Sequence, residues 1–229
     1  MEPETPQETR RQDKFHQDLV ELKEKLLALA HLAEQAIDTS VAAFLKRDRD
    51  AARGVIAGDK AINDLEEAID GECVRLIALF QPVAIDLRQV MAVDHIVAEL
   101  ERIGDQATNI AEETMALEQT PPRPFHPELS QMAKDVQKML RQSLQAFLNR
   151  DPALARRICK DDTLVDDLDQ TITQELLRDM TGEPAAVPAC QSQINVVRNL
   201  ERVGDHATNI AEQVVYMVEG ESIRHRCQG

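Results

Sequence analysis

One segment of this chain occurs twice. Glu101-Arg-Ile-Gly-Asp-Gln-Ala-Thr-Asn-Ile-Ala-Glu112 returns one hundred positions later as Glu201-Arg-Val-Gly-Asp-His-Ala-Thr-Asn-Ile-Ala-Glu212, altered only at Ile103/Val203 and Gln106/His206. A repeat of that fidelity makes the molecule two versions of one structural unit. The length, 229 residues, then divides into two lobes of roughly 100 residues each. Aromatic residues make up 3% of the chain and Trp is absent, against 43% hydrophobic residues in all, so the core consists of Leu, Ile, Val, Ala and Met. That mixture suits packed helices better than sheets, which favour aromatic and β-branched side chains.

Apolar residues recur at helical spacing through each lobe. From Phe15 the series runs through Leu19, Leu22, Leu26, Leu29, Ala33, Ile37, Val41 and Phe44, with Lys and Glu on the other side. Ile62, Leu65, Ile69, Cys73, Leu76 and Phe80 mark a second helix, ended at Gln81-Pro82. A third is expected over about 82–118, with Val93, Ile96, Leu100, Ile103, Ala107 and Ile110 facing inward. Thr120-Pro-Pro-Arg-Pro-Phe-His-Pro127 is a stiff connector. Beyond it the plan repeats, with helices expected over about 128–148, 152–180 and 188–218. Ala-Phe-Leu-Lys-Arg-Asp48 and Ala-Phe-Leu-Asn-Arg-Asp151 mark the same turn in both lobes. The expected organisation is all-α: a flexible tail over 1–13, tandem three-helix bundles over 14–119 and 128–220 joined by the 120–127 linker, and a loose tail over 221–229.

At about 100° per residue, Asp94, Asp105, Thr108 and Glu112 share one face of the third helix with Glu101, opposite its apolar stripe. Glu201, Asp205, Thr208 and Glu212 repeat that row, while Ile194 replaces Asp94. The middle helices offer matching rows: Asp59, Asn63, Glu66 and Asp70 in the first lobe, and Asp162, Asp166, Asp169 and Thr173 in the second. Packed side by side, such rows concentrate like charge that cations would relieve. Carboxylate and amide oxygens suit Mg, Ca, Mn and oxidised Fe, whereas zinc normally takes more His or Cys. Gly104 and Gly204 stand in mid-helix, where Gly costs roughly 1 kcal/mol relative to Ala, which suggests close approach by a neighbour. The same rows also describe an ordinary solvated helix face. A metal-free scaffold and a metal-dependent hydrolase or phosphatase therefore stay open beside a metal-binding regulator.

Other classes are disfavoured. A formal charge of −15 argues against nucleic-acid binding. Cys73, Cys159, Cys190 and Cys227 lie far apart and read as free thiols of a reducing compartment. The polar N-terminus gives no signal-peptide pattern, and the short apolar runs give no membrane span, so a cytoplasmic location is expected. No phosphate-binding Gly loop or Glu-x-x-His pair occurs. His95 and His206 lie near the rows; His206, which is Gln106 in the other copy, is expected to be solvent-exposed or to support a ligand.

The paired Leu-Glu-Arg-Ile/Val-Gly-Asp-Gln/His-Ala-Thr-Asn-Ile-Ala-Glu segments, with Asp86-Leu-Arg88 after Gln-Pro and the turns after Ala-Phe-Leu, resemble the PhoU family of phosphate-transport accessory and signalling regulators. The resemblance spans about 14–220. It implies two three-helix bundles with pseudo-twofold symmetry and multinuclear iron or zinc clusters on the bundle surface. Carried over residue by residue, it points to Glu101 and Asp105, Glu201 and Asp205, and on the middle helices to Asp59, Asn63, Glu66, Asp70, Asp162, Asp166 and Asp169. Thr173 in place of Asp70, and Asn63 in place of a carboxylate, leave room for both clusters to be incomplete, and the two sites need not be equivalent. The resemblance further implies a non-enzymatic negative regulator. Its expected partners are the phosphate ABC transporter ATPase and the sensor histidine kinase of the phosphate two-component system. A homodimer is expected, with the membrane approached only through partners.

Overall fold

The computed structural model describes residues 6–120 and 122–223. Six α-helices account for most of them, with no strand among the described residues: α1 (Pro6–Lys46), α2 (Arg49–Phe80) and α3 (Ala84–Ala116) in the first lobe, and α4 (Leu129–Asn149), α5 (Pro152–Gly182) and α6 (Val187–Glu219) in the second. Short 3-10 turns at Leu117–Gln119 and Pro184–Ala186 follow α3 and precede α6.

The duplicated Arg-Asp turns have one geometry. Arg47 and Arg150 adopt left-handed backbone conformations, with φ of 54° and 51°. The following amides reach back to Ala43 and Ala146, closing both helix ends in a 6→1 bond. Asp48 and Asp151 then cap the next helices, accepting from the amide of Ala51 and from those of Ala153 and Leu154. The break at Gln81-Pro82 is likewise real: Gln81 is left-handed and Val83 extended, so α3 starts at Ala84 instead of at the proline.

The expected tail over 1–13 is helical from Pro6 onward, while residues 1–5 lie outside the described part. Proline is tolerated in a helix's first turn because its missing N–H has no partner there anyway. Side-chain bonds tie this end of α1 to α2. Arg11 donates to the Leu79 carbonyl at 2.7 Å. The buried Asp18 carboxylate accepts from Lys14 (2.6 Å) and Arg75 (2.8 Å). Those partners hold its pKa below the usual carboxylate range despite burial. The C-terminal tail falls mostly outside the described residues; 221–223 have no regular structure.

The apolar stripes meet as expected: Leu22, Leu26, Leu29, Ile37, Ile69, Ile96 and Ile103 are fully buried. One continuous core runs through both lobes, because α3 packs on α6 as well as within its own bundle, and α1 touches α4. Full burial of a large aliphatic side chain contributes about 1.5–3 kcal/mol. The central α3–α6 contact is therefore a core layer in its own right. The linker lies against this body: Phe125 packs on Phe44 with ring centroids 4.9 Å apart, and the Arg47 guanidinium lies over the Phe125 ring, 5.7 Å from its centroid.

Candidate metal-binding rows

The repeated segment lies in the C-terminal half of α3 and of α6, where its acidic positions face the middle helix of the same lobe. Burial of the apolar stripe fixes that orientation. In the first lobe, Asp59 on α2 accepts from Thr108 on α3 at 3.4 Å. Asp105 has a raised pKa, from burial and then from the Asp59 charge. One to two turns along, burial raises Glu101, with Asp105 and Glu66 adding to it. Further on, Asp94 is raised by burial and by its hydrogen bond with Asp70. The α2 and α3 rows thus run side by side from Asp59 to Asp70. Asn63 stands apart: it is exposed and donates its amide to Asp59 of its own helix at 3.0 Å.

The second lobe draws its acids further in. Asp162 is buried and its pKa is pushed up to about 7 by burial, then by Asp166 and Asp205. Glu201 also reaches about 7, through burial followed by Asp205, Asp169, Asp166 and Asp162. Asp166, Asp169 and Asp205 are raised as well, burial leading in each. Oδ1 of Asp169 and Oγ1 of Thr173 are buried without a hydrogen-bond partner.

The mid-helix glycines explain how close the rows come. A Cβ at Gly104 would lie 2.9 Å from Cδ1 of Ile62 on α2, and one at Gly204 would lie 3.2 Å from Oδ1 of Asp162 on α5. Each glycine lets its lobe's middle helix approach the repeat.

Whether these residues suit a cation can be judged from their donors. The set is all hard oxygen, and the raised pKa values mark carboxylates whose charge is relieved either by a proton or by a cation, with Oδ1 of Asp169 left without a partner. The rows are open rather than closed: among the described residues, no three His, Cys, Asp or Glu side chains are set to hold a metal ion. Asp59, Asn63, Glu66, Asp70, Glu101 and Asp105 in one lobe, and Asp162, Asp166, Asp169, Glu201 and Asp205 in the other, supply donors without forming a finished cage. Glu212 also lines a cleft of about 210 Å³ with His95, Gln213 and Tyr216.

A second polar layer lies in the α3–α6 contact. His206 is not solvent-exposed: its Nδ1 lies 2.7 Å from Oε2 of Glu99, with their side chains 16% and 13% exposed. Asn209 donates to the same oxygen at 2.9 Å. Burial alone would raise the pKa of Glu99, but the bonds from His206 and Asn209 outweigh it and lower it. His95 pairs with Gln213 at 3.1 Å, and Asn195 donates to Glu113 at 2.7 Å. These last two pairs interchange under the hundred-residue offset of the repeat, as a pseudo-twofold requires. The role of Glu99 was hidden in the sequence because Asn199 occupies the matching place and breaks the repeat there.

Comparison with known proteins fits this arrangement. The PhoU domain matches twice, over residues 26–114 and 129–214, once in each lobe. The chain belongs to the PhoU family. A PhoU relative, the phosphate-specific transport system accessory protein PhoU homolog of Pseudomonas putida, is 38% identical over 213 residues, covering 92% of this chain and 83% of the relative. The crystal structure of PhoU from Pseudomonas aeruginosa superposes with a TM-score of 0.87 at 38% identity, covering 90% of this chain and all of that one. The phosphate transport system regulatory protein PhoU from Streptococcus pneumoniae gives 0.85 at 30% identity, covering 91% and 98%. The expected all-α fold of two PhoU-like repeats is therefore the observed one. No helix among the described residues is long and apolar enough to cross a membrane.

Proposed function

We propose that this protein is a cytoplasmic regulator of phosphate uptake that restrains the transporter and the phosphate-starvation response when phosphate is ample. The observation that carries this reading is the double PhoU-domain match, with relatives named as transport-system accessory or regulatory proteins. The protein acts by contact and not by turnover, as a homodimer. Its partners are the ATPase of the phosphate ABC transporter and the cytoplasmic part of the sensor histidine kinase. A negatively charged helical body suits docking to basic protein surfaces. The acidic rows hold iron or zinc clusters, which would neutralise the repelling carboxylates and stiffen the helix pairs. Residues Glu101, Asp105, Glu66 and Asp59 would bind in the first lobe, and Glu201, Asp205, Asp162, Asp166 and Asp169 in the second.

Two measurements test this. Untagged protein captured with each partner at high and low phosphate should retain the ATPase or the kinase, and failure with both refutes the adaptor role. Elemental analysis should find metal in the wild type and clearly less in Glu101→Ala and Glu201→Ala. Metal content equal in all three removes the rows from consideration.

A further inference from the structure

The cleft of about 210 Å³ lies between the first half of α3, at Met91 and His95, and the last turns of α6, at Glu212, Gln213 and Tyr216. Met91 and Tyr216 give it an apolar and an aromatic wall. Nδ1 of His95 lies 3.1 Å from Oε1 of Gln213, an atom that can only accept. In the neutral ring the proton is therefore on Nδ1, and Nε2 is left as an acceptor. The Glu212 carboxylate is a second acceptor, with no hydrogen bond or ion pair among the described residues.

Arg88 stands one turn before Met91 on the same face of α3. It packs on the left-handed turn that closes α6, where a Cβ at Gly220 would lie 3.7 Å from its Cζ. Its Nε donates to the Met217 carbonyl at 3.3 Å. The other guanidinium nitrogens have no acceptor among the described residues, whereas Arg75, Arg123 and Arg156 are each held by carboxylates. The matching place under the hundred-residue offset is built differently. There Gln191 donates to Asn195 at 2.9 Å and Asn195 to Glu113 at 2.7 Å, while Ala116 and Pro188 stand where Tyr216 and Arg88 do.

Two acceptors beside an aromatic wall suit N–H donors on a flat ring, and a guanidinium suits an anionic oxygen. Arg88 and His95 are seven residues apart, about 10.5 Å of helical rise. A nucleoside monophosphate spans such a distance from ring to phosphate; a free base or inorganic phosphate does not. The cleft is smaller than the roughly 300–1,000 Å³ that encloses a drug-sized molecule, so it takes the ring and leaves sugar and phosphate along the surface toward Arg88.

We propose that this cleft binds an amino-substituted purine nucleotide, with its ring against Met91 and Tyr216, its amino group donating to Glu212 and to Nε2 of His95, and its phosphate accepting from Arg88. The site needs no cation in the acidic rows, and its failure would leave the regulatory reading untouched.

The chain holds a single tyrosine, so a 3-fluorotyrosine label gives one ¹⁹F resonance, from Tyr216. AMP and GMP are titrated at about 0.15 M salt, where the field of the acidic chain is screened beyond about 8 Å. At least one should shift that resonance saturably, and IMP, which has no amino group, should bind about tenfold more weakly than the tighter of the two. A saturable shift by neither, or IMP binding as tightly, overturns the assignment. Calorimetry on unlabelled variants divides the contacts. Arg88→Ala should weaken the tighter nucleotide by about tenfold and leave its nucleoside unchanged. Arg88→Gln keeps a donor for the Met217 carbonyl, serves if the alanine variant does not fold, and should show the same selectivity. Tyr216→Leu should weaken nucleotide and nucleoside alike by about fivefold, the lower range for a base stacked on a ring, while Tyr216→Phe binds as wild type. Equal loss of nucleotide and nucleoside in the Arg88 variants, or undiminished binding in Tyr216→Leu, refutes the proposed pose.

Discussion

Replacing Gly104 with alanine tests the close approach of α2 and α3 directly. The added methyl would lie 2.9 Å from Cδ1 and 3.2 Å from Cγ2 of Ile62, where carbon atoms ordinarily meet at about 3.5–4.0 Å. Ile62 is 3% exposed and its χ1 is restricted by β-branching within a helix, so Cδ1 can turn away about χ2 only into a packed core while Cγ2 stays where it is. Overpacking of that kind costs about 1–3 kcal/mol. Against it stands a helix-propensity gain of about 1 kcal/mol on exchanging Gly for Ala. The expected balance is a net loss of about 1 kcal/mol, which lowers Tm by about 2–4 °C in a chain of this size. Gly58→Ala and Gly71→Ala on α2 are the controls: a Cβ at either meets nothing within 4 Å, so only the propensity gain remains and both should raise Tm. Ile62→Val deletes the nearest atom and should recover part of the loss when combined with Gly104→Ala, a coupling that a double-mutant cycle reads from urea midpoints. A Gly104→Ala protein as stabilised as the Gly58→Ala protein would refute the packing argument, and so would additive effects in the cycle.

Two further outcomes follow from the same geometry. Asp162 and Glu201 have folded-state pKa values of about 7, above their unfolded values of about 4, so their contribution to stability is full below about pH 4 and is lost as pH rises to about 7. Asp162→Asn removes part of that loss, so its gain in urea midpoint should be larger at about pH 8 than at about pH 5, and an equal gain at both contradicts the assignment. Phe125→Ala removes the ring that packs on Phe44 and under Arg47; it should cost about 2 kcal/mol and open the 120–127 linker to limited proteolysis, whereas an unchanged cleavage pattern would show that the ring does not anchor it.

The helices were legible because their evidence is local. Leu22, Leu26 and Leu29 announce their buried face by spacing alone, and the Arg-Asp pairs at 47–48 and 150–151 carry the chemistry of a helix end followed by a cap. The adjacency of Asp59 with Asp105 and of Glu66 with Glu101 was also legible, since two amphipathic helices that share a core must place their flanking stripes together. The first turns of α1 were not. Residues 6–13 have no apolar period, and their helix is held by contacts such as Arg11 with the Leu79 carbonyl, sixty-eight positions away. The α3–α6 layer was hidden for a related reason. Glu99, His206 and Asn209 look like ordinary polar helix residues until two helices from different lobes are laid against each other. The same holds for Gly104, whose cost in helix propensity is visible in the sequence but whose beneficiary, Ile62, is not.

The uninterrupted core through α3 and α6 bears on how such a chain can be cut or built. Half of it, ending at the linker, would leave the side of α3 that packs on α6 bare, and the pseudo-twofold exchange of the His95–Gln213 and Asn195–Glu113 pairs means that a second identical half could cover it. The present chain thus has the form of two associated halves made covalent, and within it Glu99 and Asn199, or Gln106 and His206, differ as they could not in an assembly of identical halves. Such a molecule should melt in a single step, with the connector on its perimeter contributing to speed of assembly more than to cooperativity.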